Sequence, residues 1–234
     1  MTPTDQEPRK RSVVSFVHRG GRMTVGQAKA WERRWPDLGR QVQDLPDGPL
    51  DVDSWFGRSA PLLLEIGSGM GETTARLAEA APEVNYLAVE VYQPGLAQLM
   101  LRAEALGLTN LRLLRGDAVV LLTEHIAPGS LSAVRIYFPD PWPKKKHHKR
   151  RLVQPEFIAL VASRLAPGGT VHLATDWENY AEQMLDVLSG EPLLRNRHAD
   201  WAPRPDWRPV TKFESRAREE GRISRDLIFE RVPG

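Results

Sequence analysis

Leu62-Leu-Leu-Glu-Ile-Gly-Ser-Gly-Met-Gly71 is the stretch of this 234-residue chain that decides its fold. The apolar residues Leu62–Ile66 predict a buried strand, and the glycines that follow predict a tight turn that a ligand can approach closely. The helix predicted next, Glu72–Ala81, would offer unpaired backbone N–H groups at its start. A strand, a glycine turn and a helix in this order are typical of the first unit of a ligand-binding α/β sheet.

The same alternation of apolar strands and helices continues along the chain. Further strands are predicted at Tyr86–Val91, Leu111–Leu114, Ala133–Phe138, Val171–Ala174 and Asp226–Val232. Helices are predicted at 94–106, 154–165 and 177–189. Continuous apolar strands separated by helices form parallel sheets that are covered on both faces. We therefore predict an α/β fold with a doubly wound, mostly parallel, Rossmann-like sheet, an antiparallel C-terminal strand, and a ligand site at the carboxyl ends of the strands.

The chain divides into three predicted parts. Residues 1–18 are expected to be a flexible tail, residues 19–60 a basic helix with a linker, and residues 61–234 the α/β domain. The N-terminal helix is predicted over residues 24–35 with Thr24 as its cap, and the turn-rich residues 36–53 are predicted to be the linker.

Composition excludes several chemistries. The chain contains no cysteine, so it has no disulfide, no Cys-ligated zinc or iron–sulfur cluster, and no thiolate nucleophile. No apolar run approaches the roughly 20 residues that span a bilayer, and the polar start, Met1–Arg11, lacks the apolar core of a signal peptide. We therefore predict a cytoplasmic protein with no membrane contact and no metal, and leave a monomer or a homodimer open.

The net charge of +2 conceals an uneven distribution. Residues 1–40 carry nine Lys/Arg against four Asp/Glu, and residues 141–234 carry seventeen against thirteen. Residues 41–140 between them carry six against thirteen. Basic ends around an acidic centre favour a polyanionic partner that is held by the ends.

The glycine turn favours one class of cofactor over another. A dinucleotide-binding turn would need its third glycine at position 72, where Glu72 would repel a pyrophosphate. The pattern instead suits a cofactor with a positive centre and no phosphate, and S-adenosylmethionine meets both conditions. Its candidate backbone contacts are Gly67, Gly69 and Gly71.

Four carboxylates stand at the ends of four successive predicted strands: Glu65, Glu90, Asp117 and Asp140. Glu90 lies 19 residues after Gly71, where a carboxylate can accept both ribose hydroxyls of a nucleoside. Asp117 is placed to meet the adenine edge. Because sheet ends that only pack need no acid, the set as a whole predicts a binding site.

The segment Tyr137–Arg151 adds a second signal. Asp140 lies between two prolines, Trp142 follows, and the next eight residues, Lys144–Arg151, carry six Lys/Arg. We call Lys144–Arg151 the basic run. A rigid carboxylate, an aromatic ring and positive charge suit a nucleotide base on a phosphate backbone. Trp142 is expected either to wall the base or to pack on the sheet edge.

Together these residues resemble the motifs of bacterial tRNA (guanine-N7-)-methyltransferases, which are class I S-adenosylmethionine-dependent enzymes. The matching segments run from about Arg19 to the end of the chain: Arg22–Gln27, Glu65–Gly71, Glu90, Arg115–Ala118, Phe138–Arg151, Ala174–Tyr180 and Arg208–Glu214. The Pro-Asp-Pro-Trp segment and Thr211-Lys-Phe-Glu214 are the most specific of them. From the residues alone, Thr211–Glu214 would be predicted only as a loop.

The resemblance implies roles for individual residues. It implies that Glu65, Glu90, Asp117 and Asp140 bind the methyl donor and that Asp140 is catalytic. It implies substrate contacts from Lys144, Asp176, Thr211, Lys212, Phe213 and Glu214. It implies RNA contacts from Lys146, His147, His148, Lys149, Arg150 and Arg151. The implied substrate is the variable-loop guanine of tRNA, methylated at N7.

This chemistry is consistent with the residues, because guanine N7 has an unprotonated lone pair and needs no strong base. We expect Asp140 to stabilise the cationic product or to orient the base, with Asp176 as a second partner. Three alternatives stay open: a methylase of exocyclic amines, a tRNA-binding protein without catalysis, and a small-molecule methyltransferase.

Overall fold

The computed structural model describes residues 15–16 and 20–233, and for Lys212 and Phe213 the backbone alone. Within these residues eight strands form one sheet in the order β1-β4-β3-β2-β5-β6-β8-β7. The strands are β1 (Gly39–Gln41), β2 (Leu62–Ile66), β3 (Asn85–Glu90), β4 (Leu111–Arg115), β5 (Leu131–Tyr137), β6 (Leu165–Thr175), β7 (Leu194–Asn196) and β8 (Arg225–Arg231). Strands β1 to β6 pair in parallel, and β8 runs antiparallel to both β6 and β7. The predicted fold class is confirmed.

Helices connect these strands and cover both faces of the sheet. They are α1 (Val25–Leu38), α2 (Val52–Phe56), α3 (Glu72–Ala80), α4 (Gln93–Ala105), α5 (Ala118–Val120), α6 (Pro155–Arg164), α7 (Glu178–Ser189) and α8 (Lys212–Glu219). A π-helical turn, Leu121–His125, extends α5, and 3₁₀ helices lie at Val42–Asp44 and Lys145–Arg150. Among the described residues, no helix combines the length and apolar character needed to cross a bilayer.

The hydrophobic core lies in two layers, one on each face of the sheet. Leu64 and Leu87 point into the layer that packs against α6 and α7, and Leu63 and Ala88 point into the layer under α3 and α4. Successive residues of a strand face opposite sides, so a strand buried on both sides must be apolar throughout. This is why the central strands are recognisable in the sequence as continuous apolar runs.

The N-terminal helix begins as predicted. The Thr24 hydroxyl accepts a hydrogen bond from the Gln27 backbone N–H at 3.2 Å, and the Gln27 side chain accepts one from the Thr24 N–H at 3.0 Å. This reciprocal pair forms a capping box. Residues 36–53 differ from the predicted linker, because β1 within them pairs in parallel with β4, with Gly39 opposite Leu113. The short polar strand has no sequence pattern of its own, and its partner strand determines its conformation.

The order of the strands places a ligand site. The chain leaves β2 toward β3 on one side, and the later strand β5 pairs with β2 on the other side. Between such strands the connections depart in opposite directions, which leaves a crevice at their carboxyl ends. The carboxyl ends of β2, β3, β4 and β5 lie side by side around this crevice.

Candidate active site

A cavity opens at this crevice, and residues from the carboxyl ends of β2 to β5 line it. The lining comprises Ser15, Phe16, Ile66, Gly67, Gly69, Val89, Glu90, Val91, Tyr92, Gly116, Asp117, Ala118, Ile136, Tyr137, Phe138, Pro139, Asp140 and Leu152. The walls are apolar and aromatic, and carboxylates stand at three of the strand ends. Of the predicted flexible tail, Ser15 and Phe16 lie at this cavity, and its other residues lie outside the described part of the chain.

The glycines of the turn after β2 serve two different purposes. Gly67 and Gly69 have φ values of +81° and +55°, and within the described part of the chain no atom beyond their immediate neighbours lies within 4 Å of the position that a Cβ would occupy. Their backbone is therefore open to a ligand in the cavity. Gly71 begins α3, and a Cβ there would lie 2.5 Å from the Leu99 Cβ. The absence of a side chain at Gly71 permits close packing of α3 on α4.

Glu90 braces the glycine turn. Its Oε2 accepts a hydrogen bond from the Gly69 N–H at 2.9 Å, and its Oε1 accepts from the N–H groups of Val91 and Tyr92 at 2.7 and 2.9 Å. Oε2, which accepts one hydrogen bond, retains acceptor capacity toward a ligand. Asp117 has a similar double position, because it lines the cavity and accepts from the Val119 N–H at the start of α5.

Glu65 lies one layer behind the cavity lining. Its side chain is buried, and Oε2 has no hydrogen-bond partner among the described residues. Burial raises the pKa of Glu65 from 4.5 to about 7, and the positive charge of Arg135 acts in the opposite direction. A buried carboxyl with an unused oxygen is the type of group that a cationic ligand would ionise.

Asp140 lies in a loop of unusual backbone geometry. We call Phe138–Pro143 the Asp140 loop. Phe138 and Trp142 have φ values of +50° and +44°, which L-residues rarely adopt. The Phe138 N–H donates to the Ala174 carbonyl at 2.7 Å, so the end of β6 fixes the first residue of the loop. Asp140, between the two strained positions, lines the cavity.

The basic run follows the Asp140 loop and folds as the 3₁₀ helix Lys145–Arg150, in which no residue is buried. Trp142 packs beside it: the Arg150 Cζ lies 4.7 Å from the Trp142 ring centroid, and the His147 ring meets it edge-on at 6.0 Å. The indole N–H donates to the Ser15 carbonyl at 3.3 Å. Among the described residues, no group of three potential metal ligands occurs.

A second groove lies farther along the same edge of the sheet. It is formed by the start of α7 and the turn before β8, with Asp176, Trp177, Glu178, Asn179, Gly221, Arg222, Ile223 and Arg225. Asp176 follows β6, and its Oδ2 accepts a hydrogen bond from Arg222 Nε at 2.8 Å. The carboxylates of Asp140 and Asp176 thus follow the neighbouring strands β5 and β6.

Comparison with known proteins gives strong matches along the chain. The sequence profile of a family described as "Putative methyltransferase" matches residues 59–227. The tRNA (guanine-N(7)-)-methyltransferase of Streptomyces coelicolor is 52% identical over 227 residues, covering 95% of this chain and 82% of that protein. The protein of the same name from Bordetella pertussis is 53% identical over 225 residues, covering 96% and 87%.

The chain belongs to the tRNA (guanine-N(7)-)-methyltransferase family.

Solved structures of methyltransferases share its fold at low sequence identity. The 16S rRNA methyltransferase KamB aligns with a TM-score of 0.59 and 14% identity, over 83% of this chain and all but 1% of that one. A 16S rRNA (adenine(1408)-N(1))-methyltransferase from Catenulisporales acidiphilia, solved with its cosubstrate SAM, aligns with a TM-score of 0.52 and 18% identity over 79% and 92%. The fold of this chain is therefore shared with methyltransferases that act on other RNAs.

Of the residues predicted to contact RNA, one is buried in the structure. Arg151 was expected to contact RNA with the rest of the basic run, but its side chain is 2% exposed. Its guanidinium donates to the Pro141 carbonyl at 2.9 Å and to Gln183 Oε1 at 2.6 Å. Arg151 therefore supports the Asp140 loop from inside. Lys144, Lys146, Lys149 and Arg150 are exposed, and His147 and His148 are half-buried.

The Thr211–Glu214 segment is also more structural than predicted. Instead of a loop it begins α8, with the Thr211 hydroxyl accepting from the Glu214 N–H at 3.0 Å. The Glu214 carboxylate is buried and accepts from Arg208 at 2.8 Å and from Arg218 at 2.9 Å. In this conformation it holds α8 instead of facing the solvent. The side chains of Lys212 and Phe213 lie outside the described residues.

A buried polar chain under this segment was not predicted. The Tyr137 hydroxyl lies 2.9 Å from His172 Nδ1, and His172 Nε2 lies 2.7 Å from Asp226 Oδ1. Arg208, fully buried, donates to Asp226 at 2.8 Å and to Glu214. Burial acts to raise the pKa of Asp226, but the hydrogen bonds from His172 and Arg208 hold it below its usual value. Burial lowers the pKa of His172, and a neutral ring fits this chain. In the sequence, the polar residues that could indicate this chain are His172 within the apolar end of β6 and Asp226 near the start of β8.

Proposed function

We propose that this chain transfers a methyl group from S-adenosylmethionine to N7 of the variable-loop guanine of tRNA. The observation that carries the proposal is the position of Asp140. It lines the cavity beside the open glycine turn, in a loop continuous with the exposed basic run. A nucleotide-like cofactor site and an RNA-binding element therefore meet at one carboxylate.

The cavity residues fit S-adenosylmethionine as the donor. Gly67 and Gly69 leave room at the backbone, and Glu90 retains acceptor capacity for ribose hydroxyls. The apolar walls suit an adenine ring, with Asp117 at one end. Among the described residues, the lining of this cavity includes carboxylates and no cationic side chain, which favours a cationic ligand over a phosphate. When bound, S-adenosylmethionine supplies a methyl group on a positively charged sulfur.

The chain's own task is to align the acceptor with that methyl group. Guanine N7 carries a lone pair at neutral pH, so no residue has to remove a proton before transfer. Correct positioning alone contributes about 7–11 kcal/mol to a reaction of this kind. The Asp140 carboxylate stabilises the positive charge that develops on the guanine ring, or orients the base by accepting from its N–H groups.

Recognition of the base is assigned to the second groove. Asp176 supplies a second carboxylate beside the Asp140 loop. Lys144, which directly follows that loop and is exposed to solvent, supplies positive charge. Thr211 to Glu214 are proposed to complete the substrate site through the start of α8. In the structure, Arg222 occupies one oxygen of Asp176, so a guanine would share or replace that contact.

The exposed cations Lys146, Lys149 and Arg150, with His147 and His148, are proposed to bind the tRNA backbone. Positive side chains on a short helix beside the cavity neutralise phosphates and position the duplex, while base contacts determine specificity. Because the target base must leave its stack to reach the cavity edge, Trp142 is proposed to wall the site on the side of the basic run.

Methyl transfer from labelled S-adenosylmethionine to unmodified tRNA tests the proposal. We expect label in 7-methylguanosine after digestion, and its loss when the variable-loop guanosine is replaced. Label in an exocyclic-amine nucleoside would instead favour the related class of base methylases. Tight donor binding without transfer to any tRNA would contradict the proposal and favour a small-molecule acceptor.

A further inference from the structure

Arg151 differs from its neighbours in the basic run. The cations Lys144–Lys146, Lys149 and Arg150 are exposed, whereas the Arg151 side chain is buried at 2% exposure. Burying a guanidinium costs free energy unless its donors are paired. A phosphate-binding residue would gain nothing from this position. The contacts of the buried guanidinium therefore indicate its purpose.

The guanidinium fork bridges separate parts of the structure. Nε donates to the Pro141 carbonyl at 2.9 Å, in the Asp140 loop. Nη1 donates to Gln183 Oε1 at 2.6 Å and Nη2 to Asn179 Oδ1 at 3.0 Å, both on α7. The Cζ lies 4.6 Å from the centroid of the Tyr180 ring, also on α7. One side chain thus ties the loop that carries Asp140 to the helix that follows Asp176.

The same guanidinium also contacts the 3₁₀ helix Lys145–Arg150. Nη2 lies 3.1 Å from His148 Nε2. Because arginine only donates, this ring nitrogen accepts, and the other carries the proton. The chain after Arg151 is fastened to α7 as well: the Val153 N–H donates to the Tyr180 hydroxyl at 3.1 Å, and Gln183 Nε2 donates to the Val153 carbonyl at 3.1 Å.

The contact with Pro141 has a particular effect on the Asp140 loop. The Pro141 carbonyl belongs to the peptide unit that joins Pro141 to Trp142, and Trp142 has a strained φ of +44°. Strained backbone persists only where the surroundings over-determine it. Arg151 fixes this peptide plane from one side, and the Ala174 carbonyl fixes Phe138 from the other.

We propose that Arg151 is a positioning residue for methyl transfer, which holds the Asp140 loop against α7 and in a fixed position relative to the 3₁₀ helix Lys145–Arg150. This inference rests on the proposed function. Arg151 does not touch the substrate, and its effect passes through the Pro141 carbonyl and His148. A lysine would supply a point charge in place of the planar fork and cannot make the same set of contacts.

The variants Arg151→Gln and Arg151→Lys test the inference by separating turnover from binding. At saturating tRNA and donor we expect kcat to fall about 100-fold in both, because a displacement of about 1 Å can cost that factor. The Kd for tRNA, its salt dependence and the Kd for the donor should stay within about threefold of the wild type. Amide exchange in the peptide 138–150 should become faster without tRNA or donor present.

Two further variants serve as matched comparisons. Arg164 also donates to backbone carbonyls, those of Leu122 and Thr123, but it stands at the end of α6 and none of these three residues lines the cavity. Arg164→Gln is expected to lower stability without lowering kcat of the folded protein. Gln183→Met removes one acceptor from Arg151 and the hydrogen bond to the Val153 carbonyl, while it leaves Arg151 itself in place. It should lower kcat more than threefold but less than the Arg151 variants do, with the same unchanged tRNA affinity. This milder change keeps the test valid if the Arg151 variants do not fold.

Three results would overturn the inference. The first is a kcat within threefold of the wild type in the folded Arg151 or Gln183 variants. The second is weaker tRNA binding with a flatter salt dependence, which would assign Arg151 to phosphate contact. The third is unchanged amide exchange in the Asp140 loop. Failure of the wild-type chain to methylate tRNA would contradict the proposed function. The amide-exchange measurement would still show, independently of activity, whether Arg151 holds the Asp140 loop.

Discussion

Asp140 occupies a position that is costly to build. The residues Phe138 and Trp142 on either side of the Pro-Asp-Pro sequence both have positive φ, and such positions cost about 1–3 kcal/mol each. The prolines at 139 and 141 restrict the loop to few conformations. Strain at a site of this kind directs the carboxylate toward the cavity, where the proposed charge develops.

Replacing Asp140 by Asn tests that role. The amide keeps the shape of the side chain and removes its negative charge, so we expect kcat to fall by about 100-fold or more. Steady-state turnover at saturating donor and tRNA is the measurement. Asp51→Asn is the control, because Asp51 caps α2 away from the cavity and Asn caps helices equally well. Full turnover of Asp140→Asn would exclude an electrostatic role.

Glu65 gives a prediction about pH. Because burial raises its pKa to about 7, the folded chain binds more protons here than the unfolded chain between pH 4.5 and 7. Stability from this group is therefore lost as the pH rises through that window. Glu65→Gln should remove this loss. The free energy of unfolding of the variant, relative to that of the wild type, should therefore be about 3 kcal/mol higher at pH 8 than at pH 4. Urea unfolding at both pH values measures it, and an equal difference at each would contradict the shift.

The glycine turn provides a contrast between two substitutions. Gly71→Ala places a Cβ against Leu99 in addition to a positive φ, and we expect a loss of about 2–4 kcal/mol. Gly67→Ala meets open space and should cost only the backbone strain of about 1–2 kcal/mol. The new methyl group would instead project toward the cavity and weaken donor binding. Urea unfolding and donor titration of both variants should give opposite rankings for the two properties.

Single residues also show where reasoning from sequence stops. Glu90, Asp117 and Asp140 each follow a recognisable strand and line one cavity, whereas Glu65, the fourth carboxylate of the predicted set, is buried and does not line it. Arg151 was misassigned because a basic run gives no sign that its final residue turns inward. The burial of Glu214 depends on Arg208, which comes near it only when α8 packs on the sheet. Pairs of this kind form through tertiary packing, and no local sequence pattern predicts them.

At the scale of elements, the 3₁₀ helix Lys145–Arg150 contains no buried residue. Its cations project from one short 3₁₀ segment, and Trp142 packs against it through Arg150. Phosphate contacts release counterions, so each contact contributes about 0.7–0.9 to the slope of affinity against salt on logarithmic axes. The geometry thus makes salt dependence a direct count of the cations that touch RNA.

The paired variant Lys149→Gln with Arg150→Gln uses this count. We expect the salt slope of tRNA binding to fall by about 1–2 while the donor Kd stays unchanged. Arg195→Gln with Arg197→Gln removes the same charge from exposed positions on and beside β7 and should leave the slope intact. Equal effects of the two pairs would mean that the loss of net charge alone explains the change.

Elements differ in how far the sequence predicts them. The strands β2 to β6 have apolar runs, and their predicted positions agree with the structure to within a few residues at most ends. The strands β1 and β7 have three residues each and no pattern, so only pairing defines them. Helix α8 was missed because its residues are mainly charged, and its start is defined by a Thr211 cap that also fits a loop.

At the scale of the molecule, acidic and basic regions have separate places. The acidic centre of the sequence, residues 41–140, supplies the carboxylates that line the cavity, and the basic segment after residue 140 supplies the exposed 3₁₀ helix beside it. The proposed cationic cofactor and anionic RNA would thus be drawn to adjacent surfaces of opposite charge. The charges of these regions nearly cancel, so the small net charge of +2 does not by itself reveal the division.

The position of β8 has a consequence for the order of folding. This strand lies between β6 and β7, and its residue Glu230 pairs with Thr170, which is about 60 residues earlier. Until β8 arrives, β6 has an open edge and β7 has no neighbour in the sheet. Contacts of such sequence separation form slowly, and an open strand edge favours association between chains. The late arrival of β8 should therefore be the step at which partly folded chains are most exposed to aggregation.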